Sequence, residues 1–276
     1  MANPIVSRIQ FSLELRKLRE RSGVSREAVA EALDSDLSRV SRLENAKGTV
    51  RLPELHAVLD LLGVPKDARA DLERLARASR GHSTYRVPDW AQKFAGIEQA
   101  SSALRTYETE LVPGLLQTEG YIRAVAVAGN PARSNAEVDR LVAGRLDRQR
   151  RLTDDHPPQY WAVINEAVLR RRVGTRDVMD KQLGRLLELA DTPTISLHIM
   201  PFSAGAHASM GSSFVLVDLP SPIDARIVYL EDLMSADYLE QPQQIKAYSL
   251  AFERLLGSAL GPRQTVDLID EVRRDL

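Results

Sequence analysis

The stretch Arg26–Asn45, REAVAEALDSDLSRVSRLEN, constrains this chain more than any other. Val29, Leu33, Val40 and Leu43 recur at helical spacing on either side of a short polar break, 34–36. Two helices that cross steeply over so short a turn need a small residue where they meet, and Ala30 supplies it. Ser25 suits an N-cap, with Glu27 in the first turn where the helix dipole favours a negative charge. Asp36 can cap the second helix, which runs to about Asn45. The break calls for a residue that tolerates positive φ, and Asp34 visits that region more easily than most. With the apolar residues turned into the angle, the outer face of the second helix is Leu37, Ser38, Ser41, Arg42 and Asn45. Short and hydrogen-bonding side chains of this kind suit a helix lying in the major groove of DNA.

The flanking sequence continues the helical period. Phe11, Leu15 and Leu18 share one face of a preceding helix, which Gly23 ends. Pro53 opens a fourth helix with Leu55, Leu59 and Leu62 on one side, and Pro65 opens a fifth, 66–79. Residues 1–80 therefore read as an all-α five-helix domain, and 81–88, inside the aperiodic RGHSTYRVP, as a linker. From 89 to 276 the pattern becomes mixed α+β, which makes the whole chain α+β. A turn at 112–114 precedes a short helix near 115–127; 137–152, 177–189, 242–256 and 264–272 are helical. Strands are expected at 159–164, 195–200, 213–219 and 227–230, bounded by Pro, Gly and Asp. A domain of this size can bury its own core.

Composition narrows the classes of function. The 276 residues contain no cysteine, which excludes disulfides, thiol nucleophiles and Cys-based zinc sites. Neither a signal peptide nor an apolar run of roughly 18 residues is present, so a cytoplasmic protein away from membranes is expected. Residues 1–80 carry 15 Lys+Arg against 12 Asp+Glu, a balance of +3; the rest carry 22 against 26, a balance of −4. The excess is compatible with a nucleic-acid partner without requiring one.

Residues 11–62 resemble the xenobiotic-response-element (XRE), phage-repressor type of helix-turn-helix domain, through LELRKLRERSGVSREAVAEAL, SRVSRLENAKG and LPELHAVLDLLGV. The resemblance implies a transcriptional regulator that binds double-stranded DNA. It puts base-reading at Leu37, Ser38, Ser41 and Arg42, and phosphate contacts at Ser25, Arg26, Arg39, Asn45 and Lys47. The sequence departs from the family twice. Leu37 replaces a common Gln and can make only apolar contact, for instance with a thymine methyl; Ala46 replaces a common Gly, so either Asn45 or Gly48 is expected to take the left-handed conformation. One short reading helix per monomer gives little specificity, so a homodimer on an inverted repeat is expected.

The remaining chain resembles the uncharacterised domain that follows this helix-turn-helix in many actinobacterial regulators, through YETELVPGLLQTEGY, RLDRQRRL, INEAVLRRRVG, QLGRLLELADTPTISLHIMPF and SAGAHASMGSSFVLVDL. Some such regulators are antitoxin-like, which implies a small protein partner encoded nearby. Either a signal-receiving regulator or an antitoxin that autoregulates fits the sequence. Leu115, Leu116 and Gln117 of the VPGLLQT turn, and the loop 203–211 with His207, are the expected partner or ligand contacts. No enzyme, cofactor or metal is expected. Ser209 lacks the preceding Gly of a nucleophile elbow; His198, His207, Glu166 and Asp218 lack metal-ligand spacing; Gly205 and Gly211 lack the lysine of a phosphate loop. The run Arg145, Arg148, Arg150 and Arg151 reads as a solvated face, with Arg145 or Arg148 pairing inward with Glu166 as the alternative. Trp90 and Trp161 read as core or interface residues.

Overall fold

The computed structural model describes residues 4–80, 89–220, 225–232 and 235–276. The expected linker, 81–88, and the side chain of Trp90 lie outside the described residues. The chain divides into two units, Met1–Ala100 with Asp218–Ala225, and Ser101–Val217 with Arg226–Leu276.

In the first unit the helices are α1 (Pro4–Ser22), α2 (Arg26–Ala32), α3 (Leu37–Glu44), α4 (Leu52–Leu61), α5 (Ala70–Ala78) and α6 (Asp89–Ala100). A 3₁₀ turn, Lys66–Ala68, leads into α5. Ser25 Oγ accepts from the Ala28 amide at the start of α2, and Asp36 Oδ1 from the Arg39 amide at the start of α3. Phe11, Leu15, Val29, Leu33, Val40, Leu43, Leu55, Leu59 and Leu72 belong to one buried cluster.

Helices α1 to α4 end alike. Gly23, Asp34, Ala46 and Gly63 stand at φ +68°, +45°, +54° and +69° just past each helix. In each case the next amide returns to a carbonyl of the last turn, as Val24 to Arg19, Ser35 to Ala30, Lys47 to Arg42 and Val64 to Leu59. The expectation for Asn45 or Gly48 is thereby corrected, since Asn45 has φ −109° and Ala46 itself is left-handed. The Lys47–Arg42 bond, 2.8 Å, fixes which residue must reverse the chain. The Ala46 methyl is buried there, which offsets part of the strain.

The strands, all but Asp218, Leu219 and Ala225 of which belong to the second unit, are β1 (Ala103–Glu108), β2 (Gln159–Asn165), β3 (Ile195–Met200), β4 (Phe214–Leu219), β5 (Ala225–Glu231) and β6 (Ala236–Leu239). Among the described residues they form one mixed sheet in the order β3-β2-β1-β4-β5-β6. β1 pairs in parallel with β2 (Ala103 beside Gln159), β2 in parallel with β3 (Tyr160 beside Ile195), and β5 runs antiparallel to β6 (Tyr229 beside Tyr238). The helices are α7 (Glu119–Gly129), α8 (Asn135–Gln149), α9 (Glu166–Arg170), α10 (Arg176–Ala190), α11 (Pro242–Ser258) and α12 (Pro262–Arg274). Tyr107, Val163, Phe214, Leu216 and Val228 pack with Phe252 and Leu255 of α11. Strand alternation turns Glu108, Tyr229 and Glu231 to the opposite face.

Candidate nucleic-acid interface

Helix α3 is amphipathic in an unusual way. Its buried stripe is Val40, Leu43 and Glu44, so a carboxylate occupies an apolar position. The side chain of Glu44 is 1% exposed, and Arg19 of α1 and Arg26 of α2 both bind it, the latter at 2.8 Å. Burial by itself raises a carboxyl pKa; the two hydrogen-bonded guanidinium groups outweigh it and hold Glu44 below the usual range. The end of α3 is tied to α1 as well. Ser12 Oγ donates to the Leu43 carbonyl at 2.6 Å, Arg16 donates to the Glu44 carbonyl, and Arg16 also reaches Asn45 Oδ1 at 3.0 Å. These bonds satisfy carbonyls that a helix end otherwise leaves orphaned. The outcome is a rigid seating that fixes which face of α3 looks outward.

That outward face carries Leu37, Ser38, Arg42 and Asn45, all exposed, with Ser41 half-buried between them. Arg42 Nη1 donates to Ser38 Oγ at 3.0 Å, and Ser38 Oγ donates to Asp36 Oδ1 at 2.7 Å. The Ser38 hydroxyl, with the Arg39 amide, holds the Asp36 carboxyl below its usual range. Asn45 Nδ2 donates to Ser41 Oγ at 3.2 Å. Of the residues expected at phosphates, Ser25 and Lys47 are exposed. Arg26 is half exposed but its Nε is held by Glu44, and Arg39 is paired with Glu54 of α4 at 2.8 Å. The clamp through Glu44 was absent from the sequence reading. Its signal was the i, i+3, i+4 stripe in which Glu44 stands beside Val40 and Leu43.

In the second unit the proposed contacts in the VPGLLQT turn need correction. Leu115, Leu116 and Gln117 are buried, at 5%, 1% and 4% exposure. Gln117 Nε2 donates to the Val112 carbonyl, Gln117 Oε1 accepts from Arg145 at 2.7 Å, and Gln182 joins the Leu116 carbonyl and the Thr118 amide. Turn-forming residues announced the bend, while the apolar pair inside it was drawn into the core. The inward partner proposed for Glu166 is corrected too: Glu166 binds Arg170 at 2.6 Å and accepts the Phe202 amide at 2.8 Å. His207 is half-buried with its Nε2 3.1 Å from Tyr107 Oη, and His198 lies between Ser196 Oγ and the Leu260 carbonyl. Trp161 is half-buried, with Arg105 over its ring at 4.7 Å. Around 203–211 the chain is largely exposed, with Met210 67% accessible. Across the sheet, burial pushes the Glu108 carboxyl up to about 7, aided by the charge of Glu231 and opposed by a hydrogen bond with Ser213 and by Arg145.

A short capped helix seated across another, with its polar face turned out, defines a helix-turn-helix module. The family description "Helix-turn-helix domain" matches residues 10–75. The chain belongs to the family described as "Domain of unknown function (DUF5753)", which matches residues 91–271, the larger part of its length. No curated protein and no solved structure matches it. The helix-turn-helix domain points to a DNA-binding regulator. Among the described residues no helix is long and apolar enough to cross a membrane.

Proposed function

We propose that this protein is a cytoplasmic, XRE-type transcriptional regulator of actinobacterial kind that binds a specific DNA sequence as a homodimer on an inverted repeat. The observation that supports this most is the asymmetry of α3. One side is locked by Glu44, Ser12 and Arg16, and the remaining surface presents Leu37, Ser38, Arg42 and Asn45 to solvent. A helix that only completed a bundle would not need so firm an orientation. Arg42 is the principal base reader and Lys47 a phosphate contact. The second unit receives a signal or a protein partner and performs no catalysis, its contacts falling on the loop 203–211 rather than on the buried turn 115–117.

The test is binding by the full-length protein to an operator selected from genomic DNA, compared with random duplex. Arg42→Ala should weaken operator binding by about 1–3 kcal/mol and leave random binding nearly unchanged. Lys47→Ala should weaken both and lower the salt slope by about one unit. Equal losses on both DNAs for Arg42→Ala would remove it as a base reader. Monomer in sedimentation together with an asymmetric footprint would remove the dimer.

A further inference from the structure

The exposed face of α3 divides into two chemically different edges. At the start of the helix Leu37 is 47% exposed, and among the described residues α3 exposes no other large apolar side chain. A leucine has no donor or acceptor, so the base-edge feature it can distinguish in the major groove is the methyl group of thymine. On a helix of 3.6 residues per turn Arg42 lies about 140° round from Leu37, at the other edge of the face. Ser38 stands beside Arg42, but its hydroxyl proton is committed to Asp36 at 2.7 Å and its oxygen accepts Arg42 Nη1 at 3.0 Å. Asp36 is anchored in turn as the N-cap of α3, accepting the Arg39 amide at 2.8 Å. Asp36, Ser38 and Arg42 thus form one hydrogen-bonded chain from the helix cap to the guanidinium. Only one of the five N–H donors of Arg42 serves Ser38, and a guanidinium fork matches the O6 and N7 of guanine.

Resting on the DNA-binding reading above, we propose that Leu37 and Arg42 divide the sequence reading between them. Leu37 selects a thymine through its 5-methyl group, and Arg42 selects a guanine. Ser38 is a positioning residue that holds Arg42, not a base reader. Each half-site therefore contains a thymine and a guanine contacted from opposite edges of α3.

The experiment starts from duplexes enriched from a random pool by the full-length protein. Each thymine is then replaced singly by uracil, which removes only the methyl, and each guanine by 7-deazaguanine, which removes N7. One uracil per half-site should cost about fourfold in affinity, the worth of one buried methyl. That penalty should vanish in Leu37→Ala and persist in Ser38→Ala. One 7-deazaguanine should cost about tenfold or more. This second penalty should vanish in Arg42→Ala, shrink in Ser38→Ala and return in Ser38→Thr, which restores the hydroxyl. Enrichment of a defined sequence with no uracil-sensitive thymine, or with a uracil penalty unchanged in Leu37→Ala, overturns the assignment of Leu37. A 7-deazaguanine penalty that Ser38→Ala leaves intact overturns the positioning role. Failure to enrich any sequence overturns the DNA-binding reading itself, and this division with it.

Discussion

Glu44→Gln isolates the contribution of the clamp beneath α3, because it keeps the side-chain volume and removes only the charge. The carboxylate is 1% exposed and Arg19 12%, whereas Arg26 is 48% exposed. Each hydrogen bond to a charged group contributes about 1.5–3 kcal/mol. The Arg26 bond must be discounted toward the surface value of about 0–1 kcal/mol, since that guanidinium can rehydrate. Arg19 is nearly buried and keeps the Val24 carbonyl at 3.2 Å and the exposed Glu20 carboxylate at 3.6 Å as partners, which offset part of the loss. The expected loss is about 3 kcal/mol, at the low end of the range for breaking a buried pair. The measurement is denaturant unfolding of the whole protein at pH 7, with hydrogen exchange followed on peptides from residues 4–80. The folded pKa of Glu44 lies below its unfolded value. Its stabilisation is therefore fully present above the unfolded pKa of about 4.3 and is lost as pH falls through the folded value. The gap between wild type and Glu44→Gln should be constant from pH 7 to about 5 and close at lower pH. A loss under about 1 kcal/mol at pH 7, or a gap that stays open in acid, would refute the reasoning.

Ala46→Gly relieves about 1–2 kcal/mol of left-handed strain, but gives up a buried methyl worth about 0.8 and gains about 0.4–1 of unfolded-chain entropy. Thermal unfolding should find it neutral within about 0.5 kcal/mol and Ala46→Val at least about 2 kcal/mol destabilised; a neutral Val variant would contradict the positive φ. Glu108→Gln should stabilise the second unit at pH 8 by about 1–3 kcal/mol and change little at pH 4.5, because a raised carboxyl pKa makes stability fall as pH rises from about 4.5 to about 7. Unfolding curves at the two pH values read this directly, and a pH-independent difference counts against it. Gln182→Leu strips partners from the Thr118 amide and the Leu116 carbonyl at a fully buried site. It should cost about 2–4 kcal/mol in denaturant unfolding, and a loss below about 1 would mean that the turn finds other partners.

The helical unit was the more legible half, because its signals are local. Ser25, Asp36 and the apolar period each act within one or two turns of themselves, and the caps stand where the sequence put them. Asp34 announced its positive φ through its residue type; Ala46 could not, since its positive φ is imposed by the closing bond from Lys47 to Arg42 and not signalled by alanine itself. The position of Glu44 in the buried stripe showed in the sequence, but its clamp did not, because its partners, Arg19 and Arg26, come from two other helices. In the second unit β2 to β5 show apolar runs, whereas central β1 does not. Its residues include Arg105, Thr106 and Glu108, and its burial derives from neighbours distant in sequence. The turn at 112–114 was located as a bend, but the helix expected from 115 begins only at Glu119, and 115–117 was misjudged as a surface for the same reason: Gln182, Arg145 and Gln149 cover it from other helices.

The placement of β1 between β2 and β4 has a consequence for synthesis on the ribosome. β1 ends at Glu108 and β4 begins at Phe214, so more than a hundred residues separate a central strand from one of its two neighbours. At about 5–20 residues per second, one edge of β1 stays open for roughly 5–20 s in every newborn chain. An open strand edge is a template for joining other nascent chains. Arg105 and Glu108, two charges in a strand of six residues, act as gatekeepers during that interval. The same residues that hide β1 from a hydropathy reading protect it while the strand that will cover it is still being made.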